Sequence, residues 1–149
     1  MLEQEQTQAI GRWMEAEDRF VRLLGIELEE VSPGYSRASL QVTGDMLNSV
    51  GITHGGVTFS LADFTFAVAS NSHGTVSVAL SAQISFPTAS REGDRLTAEA
   101  REENRTGRTG LYTIEVHTGD NKLAGLFTGT VFRRSDKMSD WMNDSERKR

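Results

Sequence analysis

The chain has 149 residues and a formal charge of −5 at neutral pH, enough for one domain that buries roughly 70% of the surface its unfolded form exposes. Its 37% hydrophobic and 25% charged residues suit an ordinary globular protein, and the acidic balance argues against a nucleic-acid surface while permitting a local basic patch for a phosphorylated cofactor. The lack of cysteine excludes disulfides, thiol catalysis and thiolate metal sites, and with no long apolar run and no charged-then-apolar leader the expectation is a cytoplasmic protein without a membrane span.

Glu3 to Leu24 places Ile10, Trp13, Met14, Phe20, Val21 and Leu24 on one side at helical spacing and stops at Gly25, which predicts one amphipathic helix. Two short strands follow, Ile26 to Val31 and Tyr35 to Val42, joined by the turn Ser32-Pro33-Gly34. After a polar loop, a helix is predicted from about His54 to Ser72, with Thr53 as N-cap and Gly74 as its stop. Val57, Leu61, Phe64 and Val68 form one stripe, and Phe59, Asp63, Phe66 and Ser70 another, so the helix should be buried on both sides. Asp63 then sits in an apolar stripe with no Lys or Arg between Arg37 and Arg91. A carboxylate buried there must be strongly hydrogen-bonded or functional.

Beyond Gly74 the pattern becomes alternation. Val76, Val78, Leu80, Ala82, Ile84 and Phe86 mark one face of a long strand, and Leu96 to Arg101, Tyr112 to His117 and Leu123 to Arg133 mark three more. The charged segment from Ser135 to Arg149 is expected to be a frayed or loosely docked tail. A two-sided apolar helix and long antiparallel strands are both buried only if the sheet curls around the helix, an α+β architecture with 1–134 as the domain. Its open edges call for at least a second copy. His54, His73 and His117 have no ligand-like spacing, so no metal site is expected.

The run His54-Gly55-Gly56-x-x-Phe59-Ser60-Leu61-Ala62-Asp63, with Asn48 before it and Asn71-Ser72 closing the helix, resembles the hot-dog-fold acyl-CoA thioesterases and within them the phenylacetate-degradation subgroup. Gly93-Asp94-x-Leu96-Thr97-Ala98 and the turn Arg105-Thr106-Gly107-Arg108-Thr109-Gly110 carry the same likeness, which spans about residues 20–134. Phe64, where the subgroup often has a small hydroxyl residue, and the early Phe86-Pro87 depart from it and bear on the shape of the acyl pocket.

The resemblance implies hydrolysis of an aromatic acyl-CoA, of the phenylacetyl or hydroxyphenylacetyl type, in phenylacetate catabolism. Asp63 would attack the thioester or activate a water, and the Gly55 N–H would hold the oxyanion, as unpaired N–H groups at a helix start can. Asn48 would orient the water or thioester, His54 would shape the carbonyl pocket, and Gly56 would let substrate approach. Ser81 is a candidate for the catalytic water, and Arg91, Arg108 and Thr109 for the coenzyme A phosphates. No cofactor is implied beyond the coenzyme A of the substrate. Because family sites lie between subunits, a homodimer or a homotetramer built as a dimer of dimers is expected. A non-catalytic acyl-CoA-binding or regulatory module is the alternative; a hot-dog hydratase would want an Asp-x4-His pair, which does not occur.

Overall fold

What covers the long apolar helix is seen in a computed structural model that describes residues 2–148. Met1 and Arg149, at the ends of the expected domain and tail, lie outside the described residues. The elements are α1 (Leu2–Glu17), α2 (Arg19–Leu24), β1 (Glu27–Ser32), β2 (Tyr35–Gln41), a 3-10 turn (Gly44–Met46), α3 (Gly55–Asn71), β3 (Thr75–Ser85), β4 (Arg95–Thr106), β5 (Thr109–His117), β6 (Leu123–Lys137) and α4 (Met138–Arg147). Six strands form one antiparallel sheet in the order β1-β2-β4-β5-β6-β3, and α3 packs against every one of them. Laid flat, such a sheet spans about 24 Å, more than twice the roughly 10 Å width of a helix, so contact with all strands requires it to curl. The expected hot-dog arrangement is therefore present.

Alternation builds the inner face. Ala38 and Leu40 of β2, Leu96, Ala98 and Ala100 of β4, Tyr112, Ile114 and Val116 of β5, and Phe127 and Val131 of β6 are buried against Val57, Leu61, Phe64, Phe66 and Val68 of α3. Phe66 sits in a notch cut by Gly129, where an added Cβ would come within 2.6 Å of its ring. The Phe127 ring centroid lies 5.3 Å from that of Phe59 and 5.5 Å from that of Phe66, in the tilted geometry aromatic pairs favour.

Some expectations change. The helix expected over Glu3–Leu24 is two helices, because Asp18 adopts an extended backbone and its carboxylate accepts the Phe20 and Val21 N–H groups at 3.1 and 3.0 Å, starting α2 afresh. The tail is not frayed: β6 runs on to Lys137, and α4 docks through buried Met138 against Ile10 and Val76. The apolar face expected along β3 is covered only at its start. Val78 and Leu80 are 41% and 60% exposed, because β3 is an outermost strand whose pairing with β6 shifts between Thr75 and Ser77 and again between Ala79 and Ser81.

Gly129→Ala should drive a methyl group into the Phe66 ring and lower stability by about 1–3 kcal/mol, the usual cost of overpacking. A urea titration should show a lower midpoint with an unchanged slope; an unchanged midpoint would mean that the ring has room to move.

Candidate active site

The start of α3 is prepared by the loop before it. The Asn48 side-chain oxygen accepts the Val50 and Ile52 N–H groups at 3.1 and 3.2 Å, and the Asn48 N–H donates to the Ile52 carbonyl at 2.8 Å. Gly51, at φ +80°, makes this tight return possible. With its oxygen engaged, Asn48 has only its amide NH2 left to offer, and it borders a groove of about 250 Å³ that Ile52, Gly55, Thr58, Phe86 and Ala89 also line.

His54, not Thr53, caps α3. Thr53 is buried and its hydroxyl accepts from Ser90 at 2.7 Å, while its N–H donates to the Ser90 carbonyl, so it is committed to the loop after β3. His54 is anchored through its N–H to the Met46 carbonyl at 2.8 Å, and its Nδ1 accepts the Gly56 N–H at 2.9 Å. The Val57 N–H returns to the His54 carbonyl at 2.9 Å. Gly55 is left as the first-turn residue whose N–H has no partner among the described residues, at the end where a helix carries positive partial charge. It looks toward Phe86: a Cβ at Gly55 would stand 3.2 Å from that ring. At Gly56 a Cβ would press to 3.0 Å from His54 Nδ1 and disturb the cap.

Asp63 lies eight residues further along α3. It is exposed in the single chain, not buried as its stripe suggests, because it falls with Gly56 and Ser60 on the helix face that the sheet leaves open. Nearby protein surface still strips enough water to raise its pKa above the usual value, and the neighbouring Asp18 carboxylate adds to the rise. Phe64 points the other way and is a core residue at 4% exposure, so it does not shape a pocket beside Asp63. An exposed carboxylate cannot share a substrate atom with Gly55 of its own chain, since eight helical residues separate them by about 12 Å.

The remaining candidates are dispersed. Ser81 is exposed on β3 opposite Thr130 of β6. Arg91 is exposed in the loop before β4, and its N–H donates to the Asp94 carboxylate at 2.8 Å. Arg108 is in the β4–β5 turn and Thr109 opens β5; Arg108 donates to the Arg133 carbonyl at 3.3 Å and lies 5.9 Å from the Phe132 ring centre. Arg133 pairs with Ser77, beside the C-terminal end of α3, so this turn is a helix length, about 24 Å, from Gly55 of the same chain. Sequence reasoning missed Ser90 as the anchor of Thr53 and Asp18 as a neighbour of Asp63. Asp18 did leave a signal, an N-cap residue type inside an otherwise helical pattern.

His54→Ala removes the cap and should cost about 1 kcal/mol of stability. It also frees the Gly56 N–H to compete with Gly55 for an anion. Thermal unfolding checks the first effect; an unchanged melting temperature would show that water replaces the imidazole without loss.

No helix among the described residues is long and apolar enough to cross a membrane. The thioesterase superfamily profile matches residues 50–124, which run from the second half of the loop through α3 and the three strands β3, β4 and β5. The acyl-coenzyme A thioesterase PaaI of Escherichia coli K12 is 38% identical over 116 residues, 78% of this chain and 83% of that one. The solved structure of the E. coli PaaI protein from the phenylacetic acid degradation operon superposes with a TM-score of 0.88 at 34% identity, covering 90% of this chain and 97% of that one. The TT0310 protein of Thermus thermophilus superposes with a TM-score of 0.76 at 41% identity, covering 79% and 99%. With this fold, this prepared helix start and these relatives, the chain belongs to the thioesterase superfamily, as a hot-dog-fold thioester hydrolase of the PaaI type.

Proposed function

We propose that the protein hydrolyses aromatic acyl-CoA, of the phenylacetyl-CoA or hydroxyphenylacetyl-CoA type, to the free acid and coenzyme A, as a cytoplasmic enzyme of phenylacetate catabolism. The observation that carries the reading is the pairing of an unengaged Gly55 N–H at a capped helix start with an open, proton-hungry carboxylate on the same helix. Because the two stand about 12 Å apart in one chain, the working site takes Gly55 from one copy and Asp63 from another. The uncharged outer strand β3, with Val78 and Leu80 exposed, is where the second copy docks, and two such dimers associate further into a tetramer.

In the proposed reaction the thioester carbonyl oxygen accepts the Gly55 N–H, with the Asn48 NH2 beside it. Asp63 of the other copy either takes a proton from an attacking water or attacks the carbonyl carbon itself to give an anhydride that water then opens. Either route makes a tetrahedral oxyanion, and a preorganised donor such as Gly55 typically contributes about 3 kcal/mol to its stabilisation. Collapse breaks the C–S bond; the sulfur of coenzyme A leaves with the electron pair and takes up a proton, and the carboxylic acid is released. The groove beside Gly55 exceeds the roughly 150 Å³ cavity that holds benzene, which supports a ring-bearing acyl group. Arg108 and Thr109, in and beside a turn remote from Gly55, are our candidates for the coenzyme A phosphates, and Arg91, next to the loop that holds Thr53, is a separate weaker candidate. Ser81 is the further candidate to hold the water. No cofactor is needed beyond the coenzyme A that arrives with the substrate.

Asp63→Asn keeps the side chain's size but removes its charge and its basicity, so kcat with phenylacetyl-CoA should fall at least about 10²-fold while binding persists. The wild-type kcat/KM should decline as pH drops through a value above the ordinary Asp pKa of about 3.9, since ionised Asp63 is the active form and its pKa is raised. A folded variant with full turnover would refute the mechanism.

Arg108→Ala should raise KM for the coenzyme A ester about tenfold, equivalent to 1.4 kcal/mol, with little change in kcat. The same change should matter less for a thioester lacking the nucleotide; an equal effect on both substrates would remove Arg108 from the phosphate site.

A further inference from the structure

The sheet has two outermost strands, and the chain treats them oppositely. β3 is an eleven-residue strand without a charged side chain, and from Val78 to Ser85 it is open or half open. β1 has six residues, a break in its pairing between Leu28 and Glu30, and three glutamates, Glu27, Glu29 and Glu30. α1 is fastened along it. The Gln4 side chain donates to the Val31 carbonyl at 3.0 Å, and the Leu28 N–H donates to the Glu15 carboxylate. These are main-chain groups that an added strand would use. Gly11 permits the close approach: a Cβ there would stand 2.9 Å from Leu28 Cδ2 and 3.0 Å from Val31 Cγ1. Toward the opposite margin of the curled sheet, the Thr7 hydroxyl donates to the Ser72 carbonyl at 2.9 Å, and Ile10 packs with Val76 and Met138.

We propose that α1 is an edge guard: by occupying the free main-chain groups of β1, it confines pairing with a second copy of this chain to β3, so that assembly through the sheet closes as a pair. With α1 lifted, β1 becomes a second pairing edge. A β1–β3 contact is head-to-tail and does not close, and a β1–β1 contact joins pairs that β3 has already formed; either extends the assembly. The glutamates add only a weak guard against β1–β1 contact, because Glu29 and Glu30 pair with Arg37 and Glu27 with Arg95, and salt removes what charge repulsion is left. The proposal concerns assembly alone and stands whether or not the substrate reading holds.

The test compares wild type with Gly11→Leu, which wedges α1 off β1, and with the double variant Gln4→Ala/Glu15→Ala, which removes the two hydrogen bonds without a clash. Light scattering is read across a concentration series in about 1 M salt, where a Debye length of roughly 3 Å silences the glutamates. Wild type should reach a constant mass. At least one variant should lose that plateau, with a mass that climbs with concentration and falls back on dilution, native circular dichroism, and faster exchange of the Leu28 amide. A wild-type plateau in both variants would overturn the proposal. So would growth that appears only with lost circular dichroism and does not reverse, since that marks general unfolding rather than edge pairing.

Discussion

An α-helix rises about 1.5 Å per residue, so the eight residues from Gly55 to Asp63 hold an unengaged N–H and an open carboxylate about 12 Å apart. Nothing in the chain can shorten that span, because α3 is gripped from Val57 to Val68 by the inner face of the sheet. A carbonyl carbon bonded to an oxygen at Gly55 cannot also be within reach of the same chain's Asp63. The rigidity that makes the helix a good platform for each group separately is why the proposed mechanism draws its two groups from two copies.

The two faces of α3 divide the work. Phe64 and Phe66 anchor it, Phe66 in a notch that only glycine at position 129 leaves open. Gly56, Ser60 and Asp63 line the side that stays open or half open in the single chain. At the N-terminal end, His54 satisfies the Gly56 N–H and Thr53 is locked to Ser90, which keeps the helix start in place while leaving one donor unspent. Asp18 restarts the N-terminal helix close enough to bear on Asp63, so the chain's break at that residue serves the local structure and the electrostatics together. The lost hydration and, secondarily, the Asp18 charge both favour a protonated carboxyl, raising the basicity of the group proposed to accept a proton or attack.

Much of this was legible in the sequence where local chemistry dictates it. Alternation in Leu96 to Ala100 and Tyr112 to Val116 placed the inner face, and the run from His54-Gly55-Gly56 to Asp63 carried the resemblance to the family to which the chain belongs. What failed were questions that depend on neighbours distant in sequence. Val78 and Leu80 have the pattern of a buried face but belong to an outermost strand, and strand order is not written in any single strand. Asp63 shares a helical stripe with Phe66, yet a few tens of degrees around the helix separate core from open surface. Thr53 is a good N-cap by type, but Ser90 claims its hydroxyl from 37 residues away. The tail looked too charged to fold, and Met138 held it by finding Ile10 near the other end of the chain and Val76 at the start of β3.

The claim that each site is completed by two copies is tested most directly by mixing two inactive proteins. Asp63→Asn lacks the base, and Asn48→Ala lacks the donor that sits beside Gly55; in a mixed pair one site inherits both defects and the other inherits neither. Unfolded together in equal amounts and refolded, they should regain about a quarter of the wild-type activity, because half of the random pairs are mixed and each carries one intact site. Activity no higher than the sum of the two separate variants, with mixed pairs demonstrated by mass spectrometry, would contradict a shared site and return both groups to a single chain.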